Sequence, residues 1–293
     1  MTNDFSKLDF ASLWKGREKV SLIEKKVILE LLGKRRLNNV LEVGCGEGRL
    51  QDELSEISQN RFAVDIEPKF LERVHSYDAR IVTVNSDLNS LPFRKGFFDA
   101  ILIVRVLNFL ENPYTSIANL SLYLRNGGLL ILSFYHYPSI AYLLDRLYVS
   151  SKSVTSASYR AKAAVKVRRS NFDEFFFKTS RIIKSAETNQ LKLTCIYITG
   201  LGDYIPFKIF SISAIRTLER ITAPFGFPPH TFLRFQRTSA IESQVCSLNP
   251  FICQVCGTNF AKIPGENETE TCKRCGSELV NVNGIISFKI RGY

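Results

Sequence analysis

The stretch VLEVGCGEGRL, Val40–Leu50, decides the fold. It opens with an apolar, partly β-branched run, which is typical of a buried parallel strand. Glycines then occupy alternate positions at Gly44, Gly46 and Gly48, and the next residues, Arg49–Ile57, place apolar side chains at helical spacing. The order is therefore strand, glycine turn, helix. Such a turn can cradle a ligand, because glycine permits close backbone approach and the N–H groups at the helix start point outward.

Further apolar runs follow this turn at spacings that predict a sheet with alternating helices. The second run, Arg61–Val64, ends at Asp65, where an α/β nucleotide-binding fold places a carboxylate for ribose hydroxyls. The glycine spacing G-x-G-x-G fits the dinucleotide motif G-x-G-x-x-G badly, and an ordinary tight turn is the alternative interpretation of the glycines alone. The remaining predicted strands are Ile81–Val84, Phe98–Val104 and, after Gly127-Gly128, Leu129–Phe134.

This ordered set resembles the class I S-adenosylmethionine-dependent methyltransferases. The resemblance lies in VLEVGCGEG, VDIE, SDLNSLPF, FFDAILIVRVLNFLEN and LYLRNGGLLILSF, and it covers residues 40–134. It implies a Rossmann-like seven-stranded sheet with helices on both faces, methyltransferase activity and S-adenosyl-L-methionine as cofactor. It also implies that the methionine moiety lies over Glu42 and the glycine turn, that Asp65 holds the ribose and that Ile66, Asp87 and Leu88 meet the adenine. The implied cofactor residues are Trp14, Arg17, Glu42, Gly44, Cys45, Gly46, Gly48, Asp65, Ile66, Asp87, Leu88 and Val104.

Each of these carboxylates could instead have a structural role that involves no cofactor. Glu42 and Asp65 could be solvated carboxylates at strand ends, and Asp87 could cap a turn. In the resembled family the segment before the first strand often closes over the cofactor, which gives roles to Trp14 and to Arg17, whose guanidinium could pair with the cofactor carboxylate. An exposed arginine on an amphipathic helix is the alternative.

The segment before the first strand is predicted to contain a helix over Ser21–Leu32, with Ser21 and Glu24 in capping-box positions. After the fourth strand, many relatives carry a histidine where this chain has Phe109, so no general base can be assigned. Arg105 and Asn108 are the candidate catalytic or substrate-contacting residues there. Structural polar residues at a strand end are the alternative for both.

The formal charge of +11 favours polyanionic partners such as RNA or an anionic membrane surface. Most of the excess lies in residues 146–184, where methyltransferases of this class insert substrate-binding elements. Within it, Tyr159–Val167 is predicted to be a basic helix and Phe172–Ala186 a further helix; a solvated surface helix is the alternative to a substrate contact. The candidate substrate residues are Arg160, Lys162, Lys166, Arg168 and Arg169.

The sheet is predicted to end with a strand over Leu191–Ile198, a helix over Ser211–Ile221 and a last strand over His230–Arg237. No partner for His230 is evident. Aromatic residues here could line a substrate pocket or pack in the core; they are Tyr204, Phe207, Phe210, Phe225 and Phe227.

The carboxyl-terminal part has the pattern C-x2-C-x15-C-x2-C, formed by Cys253, Cys256, Cys272 and Cys275. Four thiolates on two short turns suit a closed tetrahedral zinc site. The β-prone residues around them look like a zinc ribbon, too small to fold without its metal. A nucleic-acid or protein contact and a purely structural role remain equally open for it.

These patterns divide the chain into a methyltransferase domain (1–238, with the basic insert at 146–184), a linker (239–249) and a zinc-ribbon module (250–293). An apolar share of 45% supports a large core, and no run reaches the ~20 apolar residues of a membrane-spanning helix. The first residues lack the apolar region of a secretory signal, and the scattered cysteines suit a reducing compartment, so we expect a cytoplasmic protein.

For the acceptor we expect RNA (tRNA or rRNA), because a basic insert and a zinc ribbon are the parts that an RNA-modifying enzyme needs. A small-molecule, quinone or lipid acceptor is the first alternative, and a non-catalytic, cofactor-binding adaptor is the second. The sequence does not indicate the oligomeric state.

Overall fold

The computed structural model describes residues 14–110, 112–139, 164–169, 172–203, 209–239 and 249–290. The chain folds into two compact units, each assembled from separate stretches of sequence. Unit 1 contains residues 1–33, 103–114 and 131–235, and unit 2 contains residues 34–102, 115–130 and 236–293. The domain boundaries inferred from the sequence stay a prediction.

Strands and helices alternate through the first half of the chain, as the glycine-turn pattern predicts. The helices are α1 (Glu18–Leu32), α2 (Gln51–Ile57), α3 (Pro68–Tyr77), α4 (Pro113–Tyr123), α5 (Thr179–Thr188) and α6 (Ile212–Thr222). The strands are β1 (Leu37–Val43), β2 (Ser58–Asp65), β3 (Val82–Asn85), β4 (Phe98–Ile103), β5 (Leu124–Tyr135), β6 (Ala164–Arg169), β7 (Phe172–Phe177), β8 (Leu191–Thr199), β9 (His230–Arg237), β10 (Thr269–Thr271), β11 (Glu278–Val282) and β12 (Ile285–Lys289).

Ten of these strands form a single mixed sheet in the order β10-β11-β12-β3-β2-β1-β4-β5-β9-β8, and β6 and β7 form a separate hairpin. The strands β1 to β5, β8 and β9 are the seven implied by the resemblance. The sheet exceeds seven strands because the carboxyl-terminal strands β10 to β12 join it beside β3, where β12 runs parallel to β3.

The second halves of β1 and β2 are buried throughout, as expected of parallel strands that are covered on both faces. All six residues of β4 are buried. Aromatic rings fill the space beside it: Phe62, Phe93 and Phe98 contact one another edge to face, with ring centroids 5.0–5.9 Å apart. Phe251, from the segment before the first cysteine pair, packs on Phe93 at 5.4 Å.

The predicted helices of the basic insert are wrong where the structure describes them. Residues 164–169 form β6 and residues 172–177 form β7, paired antiparallel from Ala164↔Phe177 to Arg169↔Phe172. Helix α5 begins only at Thr179, so the helix predicted over Phe172–Ala186 starts with a strand instead. Period-two alternation in AVKVRR is the pattern of a strand, and its pairing with FDEFFF outweighs local helix propensity.

The capping box at Ser21 and Glu24 is also wrong. Helix α1 begins at Glu18 after Arg17, so both residues lie inside it. Glu24 is fully buried rather than at a solvated first turn. The fifth strand likewise begins at Leu124, before Gly127-Gly128 rather than after them. None of the helices among the described residues is both long and apolar enough to cross a bilayer.

Candidate functional site

The glycine turn joins β1 to α2 at the carboxyl ends of the parallel strands in unit 2. Gly44, Gly46 and Gly48 all have positive φ angles, of 67°, 52° and 78°. The turn is fixed to β2 because the N–H groups of Gly44 and Cys45 donate to Val64 O at 2.8 and 3.1 Å. A Cβ atom at Gly48 would lie 3.0 Å from Val74 Cγ2, so glycine is required there by both conformation and packing.

Asp65 at the end of β2 reaches back to this turn. Its Oδ2 accepts from Gly46 N at 2.8 Å, and its Oδ1 accepts from Glu67 N at 3.0 Å. Burial raises the pKa of the Asp65 carboxyl, while these N–H groups act in the opposite direction. The carboxylate is thereby held in one orientation, and each oxygen retains capacity to accept a further hydrogen bond.

Glu42 precedes the same turn, near the end of β1. Its Oε2 accepts from Gln51 Nε2 at 2.6 Å, and its side chain is buried. Burial raises the pKa of Glu42 from 4.5 to about 7, with the Gln51 hydrogen bond opposing the shift. The remaining amide atom, Gln51 Oε1, is buried and accepts no hydrogen bond within the described part of the chain.

The shift at Glu42 predicts a pH-dependent stability. A carboxyl with a raised folded pKa binds more protons folded than unfolded, so the free energy of unfolding falls as pH rises from 4.5 to about 7. At 1.4 kcal/mol per pKa unit this costs the protein about 3 kcal/mol above pH 7. We expect Glu42→Gln, which keeps an acceptor for Gln51, to be more stable than wild type at pH 8 by up to that amount, measured by urea unfolding.

The two proteins should differ by less than about 1 kcal/mol at pH 5, where Glu42 is already largely protonated. Glu56→Gln is the matched control, because Glu56 is an exposed residue on α2. A Glu42→Gln variant equally or less stable than wild type at pH 8 would contradict the assigned protonation.

The residues implied for the adenine lie after Asp65 and after β3. Ile66 is 57% exposed although it is a large apolar residue, as expected of a surface that packs on a flat ring. Asp87 forms a turn, with its Oδ1 accepting from Asn89 N at 2.7 Å, and Leu88 O accepts from Asn119 Nδ2 at 3.0 Å. Asp87 therefore makes the contact expected of a residue that caps a turn, which is its alternative role, and it is exposed.

Unit 1 holds a separate polar cluster around Arg105. Arg105 has φ 60°, a conformation that non-glycine residues rarely adopt. Its Nε and Nη2 donate to Glu24 Oε1 at 2.9 and 2.5 Å, and its Nη1 donates to the Tyr135 hydroxyl at 3.0 Å. His230 Nδ1 lies 3.2 Å from the same Glu24 oxygen, and the Trp14 ring centroid lies 5.2 Å from the guanidinium carbon.

The sequence analysis did not predict that Glu24 is buried, nor that it is the partner of His230. Glu24 lies on the apolar face of α1, between Ile23 and Val27. A carboxylate at such a position indicates a buried polar contact, and this was the available signal. Arg17 lies over the Trp14 ring at 5.1 Å, so the two residues predicted to cover the cofactor contact each other. Their role at the cofactor remains a prediction.

Asn108 is engaged by backbone groups on both sides. Its Nδ2 donates to Phe175 O at 2.8 Å, and its Oδ1 accepts from Tyr135 N at 3.3 Å. It is 2% exposed, which fits a residue that ties β5 to β7. Val104, directly after β4, is buried as well.

The basic insert is described in part. Arg160 and Lys162 lie outside the described residues, whereas Lys166, Arg168 and Arg169 lie in β6. Of the aromatic residues considered for a pocket, Tyr204 and Phe207 lie outside the described residues. Phe225 is 81% exposed, so core packing does not explain it.

The four cysteines of the carboxyl-terminal part lie together in unit 2. Their sulfurs are all within 4.8 Å of one another, and no disulfide joins them. Cys253 Sγ lies 3.4 Å from Cys275 Sγ, and Cys256 Sγ lies 3.5 Å from Cys272 Sγ. The two turns are built alike: Gly257 N donates to Cys253 O, and Gly276 N donates to Cys272 O, both at 2.9 Å.

The environment of these sulfurs favours thiolates at the second cysteine of each pair. The Thr258 hydroxyl lies 3.3 Å from Cys256 Sγ, and with the Thr258 N–H it lowers the pKa of Cys256 to about 6. Ser277 acts in the same way and lowers the pKa of Cys275, whereas burial raises the pKa of Cys253. The fit to a soft metal ion therefore rests on four sulfurs held close together, which is the ligand set that such an ion prefers.

Comparisons with known proteins agree with this geometry. Residues 41–132 match the family described as methyltransferase domain, Methyltransf_11. A ubiquinone biosynthesis O-methyltransferase of Xanthomonas campestris pv. campestris is 27% identical over 159 residues, which are 53% of this chain and 62% of that protein. The chain thus spans less than two thirds of this relative's length.

Two solved structures share the fold at low identity. One is a chain of the complex between the Haloferax volcanii Trm112 methyltransferase activator and a putative methyltransferase (TM-score 0.57, 14% identity), with 82% of this chain and 100% of that chain covered. The other is the Burkholderia thailandensis 1,6-didemethyltoxoflavin-N1-methyltransferase with bound substrate and S-adenosylhomocysteine (TM-score 0.51, 14% identity; coverage 79% and 86%). Residues 41–132 of the chain therefore match a methyltransferase-domain family model, and the chain shares the Rossmann-like fold of these solved methyltransferases.

Proposed function

We propose that the protein is an S-adenosylmethionine-dependent methyltransferase. The observation that carries the proposal is that two carboxylates adjoin one glycine turn: Glu42 precedes the turn near the end of β1, and Asp65 accepts a hydrogen bond from Gly46 within it. These groups match the parts of the cofactor. Asp65 offers carboxylate oxygens to a ribose diol, and Ile66 offers an exposed apolar surface to an adenine. Glu42 and the Oε1 atom of Gln51 offer hydrogen-bond acceptors to an α-ammonium group.

The bound cofactor would supply a methyl group on a sulfonium, and the chain's own residues would hold it. The turn excludes water from the methionine side, because Cys45, Glu42 and Gln51 are buried. Transfer from a sulfonium is an in-line displacement, in which fixing the nucleophile and the methyl carbon at attack distance supplies much of the rate. The chain therefore needs a positioned acceptor more than a strong general base.

For the acceptor, a small molecule with an aromatic or quinone ring is the first candidate. The related Xanthomonas protein is named for ubiquinone biosynthesis. In unit 1, the Trp14 and Tyr135 rings lie beside the Arg105 guanidinium, and Tyr135 stacks on Phe176 at 5.3 Å. RNA is the second candidate, favoured by the net charge of +11 and by the basic insert.

Labelled methyl transfer distinguishes these acceptors. The protein is incubated with S-adenosylmethionine carrying a tritiated methyl group, together with total RNA or with a lipid and small-molecule extract. Label in the extract supports the first candidate, and label in RNA supports the second. Wild-type protein that binds the cofactor and labels neither would support the adaptor alternative, and Asp65→Asn serves as the control for nonspecific transfer.

For the four cysteines we propose one zinc ion in a closed, structural site. A tetrahedron with Zn–S bonds of about 2.3 Å separates its sulfurs by about 3.8 Å, close to the sulfur separations found here. Four sulfur ligands leave no coordination position for a substrate.

We expect one zinc per chain in wild-type protein, measured by elemental analysis after dialysis against a weak chelator. Replacement of both Cys272 and Cys275 by serine should reduce the zinc content at least about tenfold, because two ligands bind far more weakly than four. Cys195→Ser is the matched control, since Cys195 lies in β8 and is not a member of the four-cysteine cluster. Equal zinc in the double variant and the control would contradict the site.

A further inference from the structure

The carboxyl-terminal ribbon, residues 249–290, is hydrogen-bonded along a strand that ends at the cofactor site. Strand β12 pairs with β3 through Ile285↔Thr83, Ile286↔Val84 and Ser287↔Asn85. The Thr83 hydroxyl adds a hydrogen bond to Gly284 O at 2.7 Å. The ribbon is therefore part of the sheet and gives β3 a neighbour on the side away from β2.

Strand β3 is in turn hydrogen-bonded to the residues implied for the ribose and the adenine. Asn85 is the last residue of β3, opposite Asp65 in the pairing with β2. Its Nδ2 donates to Asp65 O at 3.1 Å and to Ile66 O at 3.0 Å. The position of Asn85 therefore sets the position of the backbone that carries Asp65 and Ile66.

The ribbon also fixes the loop that follows β3, residues 86–94, which carries Asp87 and Leu88. Ile252 N donates to Pro92 O at 3.0 Å, and Arg94 N donates to Pro250 O at 2.7 Å. The Gln254 side-chain amide donates to Ser90 O, and Phe251 packs on Phe93. One short segment of the ribbon, Pro250–Gln254, is thus bonded to and packed against the second half of this loop, Ser90–Arg94, directly after Asp87 and Leu88.

One of the four cysteines of the metal site, Cys253, lies within that same segment. Cys253 stands between Ile252 and Gln254, both of which bind the loop, and its side chain is buried. A metal ion bound by Cys253, Cys272 and Cys275 would join the two halves of the ribbon and thereby fix the position of this segment. Without metal, a ribbon of this size has too small a hydrophobic core to keep the segment in place.

We propose that metal binding in the ribbon sets the affinity for the cofactor, because the ribbon holds β3 and residues 86–94 in the conformation that meets the adenosine. The ribbon is a positioning element of the cofactor site. The inference rests on the proposed function, since it requires S-adenosylmethionine or its product to bind at the glycine turn.

The test measures the Kd for S-adenosylhomocysteine by calorimetry on the full chain, zinc-loaded and after removal of zinc with a chelator. We expect the Kd to increase about tenfold or more when zinc is removed, because the residues implied for the adenine would then be less well ordered. Hydrogen exchange of the amides in residues 82–94 is measured on both forms, and we expect it to be faster without metal. Re-addition of zinc should restore both values.

Two variants that retain all four cysteines separate this coupling from a general loss of folding. Phe251→Ala removes the ring on Phe93, and we expect an increase in Kd of about tenfold or more with one zinc retained. Phe260→Ala is the matched control: it truncates another buried ring of the ribbon that packs on Phe288 instead, and its Kd should stay within about threefold.

A metal-free protein that binds S-adenosylhomocysteine within about twofold of the zinc-loaded form would overturn the inference, as would a Phe260→Ala effect as large as that of Phe251→Ala. Zinc-loaded wild type that does not bind S-adenosylhomocysteine would instead refute the proposed function. The two failures are thereby distinguishable.

Discussion

Asp65→Asn is expected to weaken S-adenosylhomocysteine binding by about 100-fold or more. The two ribose hydroxyls would each lose a hydrogen bond to a charged acceptor, worth about 1.5–3 kcal/mol apiece, and each 1.4 kcal/mol is tenfold in Kd. Asparagine retains one oxygen for the Gly46 or Glu67 N–H group, so the glycine turn should persist. Calorimetry gives the Kd, and circular dichroism checks the fold.

Glu56→Gln again provides the matched control, because it removes an exposed carboxylate from the same unit without touching the turn. Its Kd should equal that of wild type. An Asp65→Asn Kd within about threefold of wild type would show that the carboxylate at the end of β2 does not hold the ribose.

Glu24→Ala should lower the free energy of unfolding by about 3–5 kcal/mol. Glu24 is fully buried and accepts from the Arg105 guanidinium, with His230 Nδ1 3.2 Å away. Removal of one partner of a buried pair leaves the other charge without compensation, which is strongly destabilising. Urea unfolding followed by fluorescence measures the change.

The same helix offers a control for this substitution. Glu30 also lies on α1 and pairs with Arg216, at 2.7 and 3.0 Å, but its side chain is 52% exposed. Exposed pairs contribute about 1 kcal/mol or less, so Glu30→Ala should have a small effect. Similar losses for the two variants would contradict the structural role assigned to Glu24.

The glycine turn and its strands can be predicted because their signal is local. Val40–Leu50 contains the second half of the strand and the turn, the helix begins at the next residue, and the end of β2 follows at the expected spacing. Strand β9, His230–Arg237, has the same bounds in the prediction and in the structure. The proline- and glycine-rich bend APFGFPP directly before it marks where the strand begins.

The basic insert is harder to predict because its structure depends on pairing between separate segments. Residues 164–169 contain lysine and arginine among apolar residues, which is equally compatible with a polar helix face until the partner strand is known. The aromatic run of β7 provides that partner. The buried Glu24 is missed for a related reason, since its partners Arg105 and His230 are distant in sequence.

The ribbon's cysteine pattern predicts a metal cluster, but not that its strands extend the main sheet. Its hairpin has a local signal in Asn283-Gly284, whose φ angles of 51° and 82° suit the two-residue turn between β11 and β12. The pairing of β12 with β3 joins residues about 200 positions apart, as in the hydrogen bond between Thr83 and Gly284. No local pattern specifies such a partner.

Titration of zinc-loaded wild-type protein with S-adenosylhomocysteine measures whether the cofactor binds at the glycine turn. We expect saturable binding of one molecule per chain, with changes in chemical shift or in amide hydrogen exchange at the glycine turn and at Asp65. Absence of binding at millimolar concentration, by a folded protein, would contradict a cofactor site at Glu42 and Asp65.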